Sequence, residues 1–147
     1  MKTLVSKAAL GLAVLTLAAC AGMQDSMPDW MPGSGAVKVS LSGAEEVPPA
    51  QTSGSGSGSF RVASDGAISG SVTTSDVQGT MAHIHQAPKG RNGPVIIPLV
   101  KKDDTYSVPE GRKLTDAQMK AFKDGSLYVN VHSNRYKGGE VRAQLQP

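Results

Sequence analysis

Apolar residues recur at every second position along most of this chain, and that period leaves little choice of fold. Val37, Val39 and Leu41 alternate with Lys38 and Ser40, Phe60 and Val62 with Ser59 and Arg61, and Ile68 and Val72 share a face across Gly70. Leu127, Val129 and Val131 repeat the pattern, as do Val141, Ala143 and Leu145, while Val95 to Leu99 is a short apolar run. Successive side chains of a strand point to opposite faces, so each run offers one face to a core and the other to water. Asp65-Gly66, Asn92-Gly93-Pro94 and Gly138-Gly139 separate the runs with turn-forming residues. Such punctuated short strands predict an all-β fold, an antiparallel sandwich or barrel over residues 37–147.

One short helix interrupts the strands. Thr115 as N-cap and Gln118 three residues later form a capping box, Leu114 staples onto Met119, and Gly125 ends the helix. Gly54-Ser55-Gly56-Ser57-Gly58 reads as a glycine-rich loop and strand entry leading to Phe60. Lys101-Lys102-Asp103-Asp104 reads as a charged loop.

The first 36 residues are of another kind. Lys2 and Lys7 form a basic start, and Ala8 to Leu17 form an apolar stretch too short to span a bilayer. The stretch ends in Leu17-Ala18-Ala19-Cys20, which resembles a bacterial lipobox. That resemblance implies a signal peptide over 1–19, acylation of Cys20 and a mature chain held at a membrane by its lipid anchor. With Ala21 after the cysteine, it implies the periplasmic face of the outer membrane. Residues 20–36 then form a lipidated tether, interrupted by Pro28 and Pro32. Its Met23, Met27 and Met31 are thioethers of a kind that suits Cu(I).

Composition excludes several functions. The net charge of +3 comes from 15 basic and 12 acidic residues, and loss of Lys2 and Lys7 with the leader leaves +1. A nucleic-acid footprint is therefore not expected. Aromatic residues make up only 4% of the chain, which disfavours a stacking platform or a large aromatic pocket. Cys20 is the only cysteine, so no intrachain disulfide forms and no thiolate remains for a metal.

Histidine placement carries the chemistry. In Met81-Ala82-His83-Ile84-His85, His83 and His85 share one strand face while Ala82 and Ile84 take the core face. His132 lies on the outward face of its own strand with Tyr128 and Asn130, and Glu140, Arg142 and Gln144 are outward on the last strand. A hairpin through 133–139 brings His132 near Glu140 and Asn130 near Arg142. Two imidazoles on one strand face and a third from another strand make a three-nitrogen site suited to copper or zinc. Asn130, Glu140 and Tyr128 are the candidates for orienting those ligands.

Four motifs, in order, resemble the CHRD (chordin) domain. They are Leu41-Ser42-Gly43-Ala44-Glu45-Glu46-Val47-Pro48-Pro49, Ala82-His83-Ile84-His85 with Gly93-Pro94-Val95, Leu127 to His132, and Gly139-Glu140-Val141-Arg142-Ala143-Gln144-Leu145. Ala143 departs slightly, because the family more often has Gly there. The His-x-His strand, later histidine and late arginine are also similar to the copper site of Cu,Zn superoxide dismutase, which implies a Greek-key antiparallel β-sandwich of the immunoglobulin-like class. That similarity implies His83, His85 and His132 as copper ligands, with zinc the lesser choice, and Arg142 as a cationic guide for superoxide. The zinc loop and the bridging histidine have no counterpart, so the similarity extends to a copper-only enzyme at most. A non-catalytic copper carrier and a protein-interaction module of the envelope are the competing readings.

Overall fold

The computed structural model describes residues 35–147, so the leader, Cys20 and the methionines of the tether lie outside the described residues. The strands are β1 (Val37–Ser42), β2 (Ser55–Val62), β3 (Ile68–Ser75), β4 (Gly79–Gln86), β5 (Val95–Pro98), β6 (Val100–Lys102), β7 (Thr105–Ser107), β8 (Leu127–Ser133) and β9 (Val141–Leu145). All pair antiparallel in one sheet, in the order β5-β4-β8-β9-β1-β2-β3-β7-β6. β5 and β6 stand at opposite ends of that order, yet only Leu99 separates them in the chain. The Leu99 amide donates to the Ala82 carbonyl at 2.9 Å, so the sheet curls until its ends nearly meet. The all-β expectation holds, with the non-sequential strand neighbours of a Greek-key fold.

The alternating residues fill the inside of this curl. Val39, Leu41, Phe60, Val72, Ile84 and Val141 are buried together there, with Leu127, Val129 and Val131 of β8 fully inaccessible. Burying a side chain of this kind contributes about 1.5–3 kcal/mol, so these few positions suffice to fix which face turns inward. Helix α1 (Asp116–Lys123) starts at the Thr115–Gln118 capping box and packs Ala121 and Phe122 on the core. It ends before Gly125, whose φ of +67° favours glycine.

Two local expectations need correction. The Gly54–Gly58 repeat is not a loop, because Ser55–Ser59 already belongs to β2 and is paired on both sides. Its serines face outward and its glycines face the core, where a β-carbon on Gly58 would collide with the Ser71 and Val72 backbone of β3. Small residues here permit close strand approach instead of marking flexibility. Likewise Lys101-Lys102-Asp103-Asp104 lies in the tight β6–β7 hairpin, with Asp103 in the left-handed region at φ +54°.

Candidate metal centre

The site is built on the outer face of β4 and β8. Ala82 and Ile84 pair with Val131 and Val129 on the core side, which turns His83, His85, Tyr128, Asn130 and His132 to the other face. The register sets His83 opposite Asn130 and His85 opposite Tyr128. His132 therefore lies diagonal to His83, and the three rings converge. One ligand nitrogen from each imidazole lies within 4.8 Å of the others. His83 Nδ1 and His132 Nε2 are 3.0 Å apart. The ring centroids of His83 lie 5.5 Å from His85 and 4.9 Å from His132.

Backbone carbonyls orient two of the three rings. His85 Nδ1 donates to the Gly93 carbonyl and His132 Nδ1 to the Lys137 carbonyl, each at 2.9 Å. Anchoring one ring nitrogen in this way fixes the tautomer and leaves Nε2 with its lone pair toward the cluster. His85 Nε2 is buried and has no hydrogen-bond partner among the described residues. A buried imidazole nitrogen without a partner costs free energy unless something outside the chain occupies it. A cation that accepts nitrogen donors fits that position.

Burial disfavours the charged form of two of the donors, His83 and His85. Burial pushes the His83 imidazole down to about 4, helped by the neighbouring His132 and His85. Burial also lowers His85, against the opposing hydrogen bond to Gly93. Neutral imidazoles at neutral pH are what a metal ligand must be.

The face expected to meet water is instead covered. Every residue of β8 is buried, because loops close over the outer side. His85 and His132 are 8% and 9% exposed, and His83 is the most open of the three. The outward placement of Arg142 is corrected most sharply, since it is only 1% exposed. It pairs with Asn130 across β8–β9 as expected. Its guanidinium lies 3.4 Å over the Tyr128 ring, whose other neighbour is the His85 ring, stacked at 4.7 Å and 5°. Nη1 donates to Asn92 Oδ1 and Nη2 to the Arg91 carbonyl, at 3.2 and 2.9 Å. Arg142 thus ties the 87–94 loop, which carries the Gly93 carbonyl that orients His85. The turn over residues 89–93 thus borders the site, through the Gly93 carbonyl at His85.

The other expected orienting residues divide. Tyr128 accepts from the Gly93 amide at 3.2 Å and supports His85 by stacking. Asn130 donates to the Gly138 carbonyl at 3.4 Å. Glu140 is committed elsewhere, accepting from Thr52 Oγ1 at 2.6 Å.

Glu45 and Glu46, at the end of the short 3-10 turn after β1, do not pair as acids. Glu45 meets Lys89 at the surface, whereas Glu46 is buried against Asn130 and Gly139. A loop residue has no period, so no sequence signal marked Glu46 as interior. Burial raises its carboxyl from 4.5 to about 7, against the lowering effects of Asn130 and the Arg142 charge. A raised acid favours the protonated fold, so its stabilisation is complete below about pH 4.5 and is lost as pH rises through 7. Relative to Glu46→Gln, wild-type unfolding free energy is expected to fall by roughly 3 kcal/mol across that window. Urea titrations of both proteins at pH 5 and pH 8 check this, and parallel values would contradict it.

Comparison with known families supplies the remaining observation: residues 37–145 match the CHRD domain. The chain belongs to the CHRD domain family. The match takes in the strands that carry His83, His85 and His132, together with Arg142. No curated protein and no solved structure matches the chain.

Proposed function

We propose that this CHRD domain binds one copper ion through His83, His85 and His132, and that superoxide is the redox substrate of the loaded site. The single observation that supports it most is the convergence of three imidazoles whose ligand nitrogens lie within 4.8 Å of one another, with His85 Nε2 buried and without a hydrogen-bond partner among the described residues. For a given nitrogen site Cu(II) outranks Zn(II) in affinity, which favours copper. Bound copper would supply one-electron cycling between Cu(II) and Cu(I), converting two superoxide anions and two protons into dioxygen and hydrogen peroxide.

The chain's own residues would do the rest. The Gly93 and Lys137 carbonyls hold His85 and His132 in one tautomer. Tyr128 and Arg142 brace His85 from behind. The Arg142 charge would favour an anion through its field, since its guanidinium has no exposed surface for direct contact. The partly exposed His83 side is the natural approach for a small anion.

Superoxide decay tests the reading. With a chelator present to remove unbound copper, copper-loaded protein is expected to exceed the same copper and chelator without protein, with a rate that declines as salt rises. No activity above that control would leave copper carriage as the better account.

We further propose that Cys20 carries a lipid anchor that holds the domain at the periplasmic face of the outer membrane. Support for this is the Leu17-Ala18-Ala19-Cys20 sequence alone. Cys20→Ser is expected to shift the protein from the membrane to the soluble fraction or leave it unprocessed. Unchanged membrane fractionation of processed mutant would refute the anchor.

A further inference from the structure

The three histidines leave a copper ion short of a fourth protein ligand, and the surroundings narrow the choice. Tyr128 Oη accepts from the Gly93 amide and Glu140 Oε1 from Thr52, whereas Asn130 donates through Nδ2 to the Gly138 carbonyl and keeps a buried Oδ1 without a partner, a hard oxygen that suits Cu(I) less than a thioether does. Among the described residues, Met81 and Met119 are the only methionines, and Met119 packs against the core from α1. Met81 has no such commitment, being 50% exposed.

Its position is specific. Met81, His83 and His85 follow one another at every second residue of β4, so all three lie on the outer face. Across the ladder, the register partner of Met81 is His132 itself. Directly opposed residues have β-carbons about 4.5–5.5 Å apart, and same-face neighbours along a strand are about 7 Å apart. The unbranched side chain of methionine, with three rotatable bonds, spans such distances readily. The ladder also shifts register between Gly79 and Met81, a β-bulge of the sort that re-aims a side chain beside a functional site.

We propose that Met81 is a fourth copper ligand, its thioether closing on the ion in the Cu(I) state. The proposal rests on the copper reading of the three histidines and extends it. A thioether is soft and prefers Cu(I), whereas the imidazoles serve both oxidation states. Met81 would therefore stabilise the reduced form selectively and raise the reduction potential of the site. An exposed ligand also suits exchange, since it can capture or release Cu(I) without disturbing the buried rings.

The test is X-ray absorption on the mature chain loaded with Cu(I), alongside Met81→Leu and a tether variant, Met23→Leu/Met27→Leu/Met31→Leu. Sulfur scattering is expected in the wild type and the tether variant and absent from Met81→Leu. Cu(I) affinity of Met81→Leu, measured by competition with a chromogenic chelator, is expected to fall at least about tenfold, the lower end of what losing a supporting partner costs a metal site. Its Cu(II) affinity should stay near wild type. Sulfur scattering that persists in Met81→Leu, or that disappears only in the tether variant, would overturn the proposal. So would equal Cu(I) affinities. Failure of the histidine site has its own signature: wild-type copper without nitrogen scattering, which overturns both readings.

Discussion

His132→Ala is expected to weaken Cu(II) binding by more than about 100-fold, beyond the 10–100-fold typical of losing a residue that merely orients a ligand. His132 is the one ligand that β8 contributes, and His83 and His85 alone leave a two-nitrogen site on a single strand. His83→Ala and His85→Ala should act in the same direction. The metal-free fold should survive all three. The imidazoles lie on the outer face, away from the core of Ile84, Val129 and Val131. His85→Ala even removes a buried nitrogen that has no partner. Competition with a Cu(II) chelator, beside circular dichroism of the metal-free variants, reads both effects. Retained affinity would refute the ligand set, and unfolding would make the histidines structural residues.

Arg142→Ala should have the largest effect on stability, a loss of about 3–5 kcal/mol. It would release the Arg91 carbonyl and Asn92 Oδ1 that hold the covering loop in place and open a cavity beside Tyr128. Arg142→Lys should recover little, because an ammonium cannot reproduce the fork or lie flat on the ring. The same loss would slacken the loop that holds His85, so copper affinity should drop about 10–100-fold in any variant that still folds. Urea unfolding of the metal-free proteins checks the first effect. An unchanged midpoint for Arg142→Ala would show that the buried guanidinium contributes nothing to the fold. Superoxide decay at several ionic strengths would separate its field effect, with a flatter salt dependence expected in the variant.

The sequence made the strands legible because their inward positions keep period two, as in Leu127-Tyr128-Val129-Asn130-Val131-His132. That same period placed the three histidines on one face. The helix was legible through the chemistry of its ends, Thr115, Gln118 and Gly125. What stayed hidden depends on contacts across the fold. A strand pattern says which face leaves the core, but not that the 87–94 and 134–140 segments cover it. The burial of Arg142 and Glu46 therefore had no local signal. Gly54–Gly58 misled for a related reason: glycine reads as flexible until a neighbouring strand is seen to occupy the space a side chain would need. Met81 carries no sequence signal of its own, since an isolated methionine says nothing until register sets it against His132.

The most direct measurement is the copper content of the mature protein after Cu(II) loading and dialysis, compared with His83→Ala/His85→Ala/His132→Ala treated identically. One copper per chain in the wild type, with imidazole nitrogen coupling in its electron paramagnetic resonance spectrum, and none in a folded triple variant is the predicted result. A triple variant that retains one copper per chain, or a wild type that retains none, would contradict the account.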